Sequence, residues 1–546
     1  MRRLVAILAL GLVGSVSSAE LMPRGLRIAP LLEGMGTHHH EITTDNPLAQ
    51  RYFDQGLVLA YGFNHKEAAR SFRQAQYLDA ECAMCFWGEA LVLGPNINAK
   101  MDPADNADAL AAVERAMALR DRATEREQAY IEALARRYAP DAAAERGALD
   151  QAYAEAMGAV ARRFPEDADA QTLYAEALMD TMPWDYWGAN GKPKSATGTI
   201  IATLEAVLAR YPDHPGANHL LIHVVEKVQP HRAVAAADRL RDLVPNAGHL
   251  QHMPSHIYIR VGRYHDAVVA NEKGIAADNA YIAQCHAQGV YPIGYVPHNH
   301  HFLAAAASFI GMSGRAIEAA RHIAAHQDQQ LMRQPGYEGL QHFWSMPLYA
   351  YVRFGRWSDI DNAPAPADDL KYARGVWHYA RGLMYARRGD LAEAQTELAA
   401  LGASAEDVDL EAAKIWDNNS MAQVLRIARA VLAGETARAR GDTRGAVRSL
   451  REAVKLEDEL VYQEPSDWFV PARHHLGAVL LETGRAREAE QVYRADLAIY
   501  PDNGWSLYGL AQSLRAQRRL REANAVDAQF RRVWAKADIE LTASRF

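Results

Sequence analysis

The stretch that decides the fold is GAVLLETGRAREAEQVYRADLAIYP, residues 477–501. In it Gly477 is followed twelve positions later by Ala489, then by Tyr493 and by Pro501. The small residues return 34 positions on, as Ala511 and Ala523. A pattern that recurs at a fixed period of this length indicates an array of structural repeats rather than separate domains.

The pattern recurs through most of the chain, in these groups: Gly56 with Ala68, Phe72 and Ala75; Ala233 with Ala267; Gly382 with Ala394; Gly434 with Ala446, Leu450 and Ala453. Its period and residues resemble the tetratricopeptide repeat, a helix-turn-helix unit whose small residues let two helices pack closely. The resemblance implies an all-α, right-handed solenoid. Gaps longer than 34 between some anchor alanines predict inserted loops and helices.

These observations divide the chain into five segments. Residues 1–19 are a predicted signal peptide, and residues 20–44, with His38, His39 and His40, are a predicted extended N-terminal arm. Residues 45–215, 216–360 and 361–546 are predicted N-terminal, central His-rich and C-terminal blocks of repeats.

Composition narrows the class of protein. With 546 residues, 49% of them hydrophobic and 23% charged, the chain is typical of globular proteins with a large core. The 59 Lys and Arg residues are outnumbered by 67 Asp and Glu residues, for a formal charge of −8. Nucleic-acid binding requires a broad basic surface, so we expect no nucleic-acid partner.

The N-terminus has the features of an export signal. Arg2 and Arg3 precede an apolar run from Leu4 to Val13, and the small residues Ser17 and Ala19 have the spacing that signal peptidase needs. Cleavage near Ala19 would give a periplasmic or secreted protein if the source is bacterial. No later stretch approaches 18 uninterrupted apolar residues, so no transmembrane segment is expected.

Cysteine usage leaves several chemistries open. Cys82 and Cys85 form a Cys-x-x-Cys pair, and Cys285 is the odd one out. Covalent haem attachment needs a histidine directly after the second cysteine. Phe86 stands there, which excludes covalent haem attachment at this pair. A local disulfide or two buried thiols is the favoured interpretation, and a redox pair or two soft metal ligands are the alternatives.

Histidine is the strongest functional signal. Twelve of the 22 histidines lie between His214 and His301. In the repeat register, His249, His252 and His256 share one stripe of a first helix, the stripe that usually faces ligand in the concave groove of such arrays. In the same register, His301 and His342 take the first of these positions in the following two repeats, and His474 takes the middle position in a later repeat.

His219 and His223 are four residues apart on one helical face, and Glu226 follows three positions later. Two imidazoles and a carboxylate in this spacing are able to hold a metal ion. In this register His219 and His223 lie about a quarter-turn around the helix from the stripe that faces the groove. Their joint coordination of one metal ion with His252 and His256 is therefore a hypothesis. His298 and His301, at the start of the next helix, are further candidate ligands.

The loop 180–196 contains Trp184 and Trp187, which either line a ligand pocket together with His342 and His474 or pack between repeats. Catalytic templates are missing from the sequence, including a Gly-rich phosphate loop, a Gly-x-Ser-x-Gly elbow and a His-Glu-x-x-His helix. The histidines therefore carry the functional interpretation.

Three hypotheses follow. The leading one is an exported solenoid that binds a transition metal, copper or zinc, or a metal-associated peptide ligand, in a His-lined groove. The second is a metalloenzyme that uses the same histidines, with Glu226 as candidate acid or base. The third is a metal-free scaffold that binds a peptide, protein or small molecule. Separation of His223, His252 and His256 by more than about 8 Å would exclude both metal hypotheses.

Overall fold

The chain is described from a computed structural model, which covers residues 28–141, 145–285 and 291–546, without the side chains of residues 292–293. The predicted signal peptide lies outside the described residues. The described chain is almost entirely helical, and its one sheet is a hairpin of two short strands. The prediction of an all-α array of helix pairs is confirmed.

Among the described residues, the part of the chain up to residue 225 forms nine α-helices. They are α1 (Pro47–Tyr61), α2 (His65–Leu78), α3 (Ala83–Leu93), α4 (Asn106–Leu119), α5 (Glu125–Leu134), α6 (Arg146–Arg163), α7 (Ala168–Asp180), α8 (Thr197–Arg210) and α9 (Pro215–Val225).

The central part of the described chain contains helix pairs separated by short helical segments. They are α10 (Val234–Leu243), α11 (Gly248–His252), α12 (Pro254–Arg260), α13 (Tyr264–Cys285), α14 (Val296–Phe309), α15 (Ser313–Ala325), α16 (Leu340–Trp344), α17 (Met346–Arg353) and α18 (Trp357–Asp361).

The last third holds the remaining helices and the hairpin. They are α19 (Lys371–Arg388), α20 (Leu391–Ala405), α21 (Val408–Ala412), β1 (Lys414–Ile415), β2 (Asn419–Ser420), α22 (Met421–Ala439), α23 (Thr443–Asp458), α24 (Ala472–Glu482), α25 (Ala486–Ile499), α26 (Gly504–Ala516) and α27 (Leu520–Val533). β1 and β2 pair antiparallel.

Local sequence explains where many of these helices begin. The Asn46 side chain accepts hydrogen bonds from backbone N–H groups at the start of α1, and Pro47 follows as the first helical residue. Ser420 and Gln423 form a capping box on α22. Each helix then packs mainly on its neighbours in sequence, as expected of stacked repeats. The insertion between Ala394 and Ala446 contains α21 and the hairpin.

Contacts between small and aromatic residues set the distance between helices. Tyr493 on α25 lies against Gly477 on α24 and Gly509 on α26, and a Cβ atom at either glycine would overlap its ring. Phe72 on α2 has the same relation to Gly56 on α1 and Gly88 on α3. The repeating Gly and aromatic positions of the sequence are therefore the points where three helices meet.

Cys82 and Cys85 are joined by a disulfide at the start of α3. The Cys82 sulfur also accepts a hydrogen bond from the Cys85 backbone N–H, so it caps the helix. The bond links the two sulfurs that the alternative interpretations assigned to redox chemistry or metal binding. Cys285, the remaining cysteine, is half-buried.

The N-terminal arm docks on the repeats through polar contacts. The side-chain carbonyl oxygens of Gln55 and Gln74 accept hydrogen bonds from the backbone N–H groups of Leu32 and Ile28, both at 2.6 Å. Thr43 donates to Glu127 from both its backbone N–H and its hydroxyl. These contacts give several backbone N–H groups of the described arm residues a hydrogen-bond partner without secondary structure.

Asp169, on α7, is the centre of the arm's docking site. Its Oδ1 lies 3.0 Å from His38 Nε2 and 2.6 Å from the Tyr61 hydroxyl, and its Oδ2 lies 2.8 Å from His40 Nδ1. His214 Nδ1 accepts the Ala217 N–H at the start of α9, so its Nε2 carries the proton and donates to Asp169. Without a lone pair on Nε2, this ring stands as a hydrogen-bond donor, not a metal ligand.

The C-terminal half closes over the central repeats. Trp505 on α26 donates from its indole nitrogen to the Ser308 carbonyl oxygen on α14, at 2.7 Å. Asp538 accepts backbone hydrogen bonds from Ser313 and Gly314 at the start of α15. Among the described helices none is both long and apolar enough to cross a bilayer.

Replacing Gly88 by valine should destabilise the protein, because Phe72 has no room to move away from the added side chain. We expect a loss of about 1–3 kcal/mol in the free energy of unfolding, measured by urea denaturation. Gly198→Ala is the control, since nothing lies within 4 Å of a Cβ at that position. Equal stability of the Gly88→Val variant and the wild type would contradict this account of helix spacing.

Docking of the arm should weaken as the pH rises above neutrality. Burial opposes the charged form of His40, but the Asp169 and Asp167 carboxylates outweigh it and raise the His40 pKa above 6.5, with Arg126 acting weakly against them. A raised folded-state pKa contributes stability below pH 6.5, and this contribution is lost as the pH rises through the folded value.

Hydrogen exchange at the backbone amides of His40, Ile42 and Thr43, corrected for intrinsic rates, measures this effect. We expect protection to fall above pH 6.5 in the wild type, and to be low and nearly independent of pH in Asp169→Asn. His39→Gln is the control, because that exposed ring contacts Asp54 and not Asp169. Constant wild-type protection between pH 6 and 10 would refute the pH dependence.

Candidate metal centre

Four helices bring the central histidines into the interior of the array. His219 and His223 lie on α9, His249 and His252 on α11, His256 on α12 and His298 on α14. Pro254 starts α12 directly after α11, so the chain keeps the i, i+4 relation of His252 and His256 across the break. The six rings form two groups of three.

The first group, here the His219 cluster, contains His219, His223 and His249. One ring nitrogen of each lies within 4.8 Å of the others, and all three residues are buried. Their ring centroids are 4.8 Å, 4.9 Å and 6.3 Å apart. Phe63 covers this cluster, with its ring centroid 4.5 Å from that of His219.

The second group, here the His252 cluster, contains His252, His256 and His298, again with ring nitrogens within 4.8 Å of one another. Its ring centroids are 5.0 Å, 5.0 Å and 5.7 Å apart. Phe302 covers this cluster, 4.3 Å from the His256 ring. Each cluster thus combines two histidines four residues apart with a third histidine from another helix.

The two clusters adjoin each other. The ring centroids of His223 and His256 are 5.6 Å apart, and those of His249 and His252 are 5.8 Å apart. These separations lie below the 8 Å limit that would have excluded a metal site. His219 and His223 group with His249, and His252 and His256 group with His298. The predicted quarter-turn between the two pairs therefore does not prevent either pair from forming a cluster.

Hydrogen bonds behind the rings fix the tautomers of His219 and His252. His219 Nδ1 lies 2.6 Å from the Tyr61 carbonyl oxygen, and His252 Nδ1 lies 2.7 Å from Asn271 Oδ1. The Asn271 amide nitrogen donates to the Ala267 carbonyl, which leaves its oxygen facing His252. Oxygen acceptors require a proton on Nδ1, so Nε2 of each neutral ring carries a lone pair.

The Nε2 lone pair of His252 faces the His256 ring. His256 Nδ1 lies 2.9 Å from Glu226 Oε2 and 3.3 Å from Glu464 Oε2, and carboxylates favour a proton on that nitrogen. Its other nitrogen, Nε2, lies 3.1 Å from His252 Nε2. Two lone pairs repel at this distance, so either a hydrogen-bonding proton or a metal ion must lie between the two nitrogens.

Most ring nitrogens of the described His219 cluster have no hydrogen-bond partner. Within the described part of the chain, His219 Nε2 and both nitrogens of His223 and His249 are buried without a hydrogen-bond partner. A buried polar atom left in this state costs about 1–3 kcal/mol. Several such atoms lie together in the His219 cluster.

Burial keeps most of these rings neutral. It lowers the pKa of five of them far below 6.5, and the neighbouring histidines lower it further: His219, His223, His249, His252 and His298. Burial also opposes the charged form of His256, but Glu226 and Glu464 raise its pKa to about 9. Neutral imidazole is the form that binds metal ions.

Glu464 is a site residue that the sequence interpretation missed. It belongs to the loop before α24, more than 200 positions from His256, and its Oε1 lies 3.4 Å from Arg260 Nε. The sequence signal available was the acidic and aromatic stretch Glu464-Pro-Ser-Asp-Trp468. Nothing in its spacing connects it with the central histidines.

The other predicted site residues lie apart from the two clusters. His301 belongs to neither, and its ring is 6.3 Å from that of His342, whose Nδ1 contacts the Tyr372 hydroxyl. His474 is buried between Arg353 and Asp496, so it lies in the interior and not on an open groove.

The two tryptophans of the loop 180–196 differ in their surroundings. Trp187 is buried and donates from its indole nitrogen to the Val224 carbonyl oxygen at 2.7 Å. Trp184 is 45% exposed, and its ring meets the His223 ring edge-on at 5.1 Å. Trp184 is therefore the point where the His219 cluster comes nearest to solvent along this loop.

No protein-family model matches the chain, and no curated protein matches it. The solved structure of a human IFIT1 dimer with m7Gppp-AAAA aligns with 91% of this chain and 92% of that chain, at 12% identity and a TM-score of 0.30. The IFIT1 dimer with PPP-AAAA aligns with 88% and 90%, at 12% identity and a TM-score of 0.29.

Similarity at this level carries no argument about ligands, and the RNA in those structures belongs to IFIT1. The expectation that the present chain binds no nucleic acid stays a prediction.

Proposed function

We propose that the protein binds two transition-metal ions, copper or zinc, in its interior, one in the His219 cluster and one in the His252 cluster. The observation that carries the proposal is the 3.1 Å separation of His252 Nε2 and His256 Nε2, with the opposite nitrogen of each ring facing an oxygen. Two nitrogens bound at about 2.0 Å to one tetrahedral ion are about 3.3 Å apart.

The donor set fits these metals. Each cluster offers three imidazoles, and imidazole suits zinc and copper, whereas magnesium and calcium prefer oxygen ligands. The Tyr61 carbonyl and Asn271 would orient His219 and His252 from behind, as outer hydrogen-bond partners do in metalloproteins, and the Glu226 carboxylate would act on His256 through its charge.

The burial of the rings favours a metal over a metal-free scaffold. An imidazole that recognises a peptide must be accessible, but the rings of His219, His252 and His256 are buried behind Phe63 and Phe302. A proton between His252 and His256 would satisfy that pair, but it would leave the His219 cluster without a cation. Two metal ions would use the lone pairs of both clusters.

A metalloenzyme is the second candidate function. Three protein ligands leave a tetrahedral ion one open position, which is the arrangement of catalytic zinc sites. In this case the contact of Glu226 with His256 Nδ1 favours a positioning role for Glu226 over direct acid or base catalysis.

We also infer that the helix pairs are tetratricopeptide-type repeats and that the protein works outside the cytoplasm, in the periplasm if the source is bacterial. The residues at 1–19 support export, and the Cys82–Cys85 disulfide suits an oxidising compartment. The intact mass of the protein isolated for metal analysis tests this, because the mature chain would begin at Glu20.

Metal content is the first test of the proposal. Protein purified without tag or chelator and then desalted should carry about two ions of copper or zinc per chain by plasma mass spectrometry. The variant His252→Ala/His256→Ala should lose at least one ion, because it removes two of three ligands in its cluster.

His39→Ala/His231→Ala is the matched control, since both residues are exposed and lie outside the clusters. It should keep the wild-type metal content. A wild type that holds no metal, even after incubation with copper and zinc, would leave the metal-free scaffold as the better interpretation.

The outer hydrogen bond at His252 should also affect metal affinity. Asn271→Leu keeps the volume but removes the oxygen that holds His252 Nδ1, so we expect copper or zinc affinity to fall about 10–100-fold in competition with a chromogenic chelator. Asn503→Leu controls for loss of a buried asparagine, because Asn503 bonds to Asp496 far along the chain. Equal affinity in the Asn271→Leu variant and the wild type would mean that His252 is not a ligand.

A further inference from the structure

A third group of histidines lies on the outer side of α14. His300 follows His298 by two positions, which places it on the opposite face of the helix, and it packs against His322 on α15 and against His326, the residue that follows α15. We call His300, His322 and His326 the His300 cluster. His300 belongs to the run 297–301 that the sequence marks as a possible source of ligands, whereas His322 and His326 are not among the predicted ligands.

The His300 cluster repeats the construction of the two interior clusters. His322 and His326 are four residues apart in the sequence, as are His219 and His223, and as are His252 and His256. The third histidine comes from a neighbouring helix in every case. Three copies of one arrangement within the central repeats indicate one chemical purpose.

Two of the three ring separations in the His300 cluster are close to those of the His219 cluster, and the third is 1.5 Å longer. Its centroids are 5.0 Å, 6.4 Å and 6.4 Å apart, compared with 4.8 Å, 4.9 Å and 6.3 Å. Imidazoles bound to one tetrahedral ion have ring centres about 5 Å apart. The exposed rings of His322 and His326 would have to rotate toward His300 to bring three nitrogens to one ion.

The nitrogen atoms are available for an ion. His300 is 8% exposed, and within the described chain its buried Nδ1 has no hydrogen-bond partner. His326 Nδ1 lies 2.7 Å from the His322 carbonyl oxygen, so it carries the proton and leaves the Nε2 lone pair free. His322 and His326 are both exposed to solvent.

We propose that the His300 cluster is a third metal site, which binds a divalent transition-metal ion, copper(II) or zinc(II), directly from solvent. It differs from the interior clusters in exposure. Two of its three ligands face water, so the ion is expected to exchange rapidly, whereas ions behind Phe63 and Phe302 are enclosed. The site shares its ligand pattern with the proposed function but does not depend on occupation of the interior clusters.

Titration of chelator-stripped protein with zinc and with copper, followed by calorimetry, tests this site. We expect the wild type to bind one ion more than His322→Ala/His326→Ala, and this ion should have a dissociation constant at least tenfold weaker than that of the interior ions. A short wash with a chelator should remove it first. His39→Ala/His231→Ala should titrate like the wild type.

The outcomes separate this proposal from the proposed function. If the interior clusters bind nothing, the loss of one equivalent in His322→Ala/His326→Ala still supports the exposed site. Identical titrations of the wild type and that variant would overturn it. Because both substitutions are at exposed positions, unfolding of the variant does not obscure the comparison, and circular dichroism verifies its fold.

Discussion

The contact of one aromatic ring with two glycines on flanking helices is the constraint on which the rest of the structure depends. Tyr493 between Gly477 and Gly509, and Phe72 between Gly56 and Gly88, bring three helices closer than any side chain at the glycines would permit. Repetition of this contact along the chain stacks the helix pairs in register. In the central repeats a Cβ atom at Gly274 on α13 would lie 2.9 Å from the Gly248 carbonyl oxygen and 3.2 Å from His252 Cβ on α11, so a glycine also permits the close approach that positions His252.

The fold was predictable because its determinants are local and periodic. Gly477, Ala489 and Tyr493 specify a helix pair through their spacing, and 34 residues later the same spacing specifies the next. The i, i+4 pairs of the site were predictable for the same reason, since His219 with His223 and His252 with His256 each share a helical face.

Contacts between distant segments could not be predicted from spacing. His298 completes the His252 cluster from another helix, and Glu464 reaches His256 from the C-terminal half of the chain. His474 was assigned to a groove by its repeat position, but the closing C-terminal helices place it in the interior. Such outcomes depend on the curvature of the whole array, which no single repeat encodes.

Tyr61 links two parts of the molecule that are otherwise separate. Its hydroxyl donates to Asp169, where the N-terminal arm docks, and its carbonyl oxygen accepts from His219 in the interior. The arm and the ligand are therefore built on the same residue at the end of α1. The two polar groups of Tyr61 therefore tie the position of the arm's docking site on α7 to the orientation of the His219 ring.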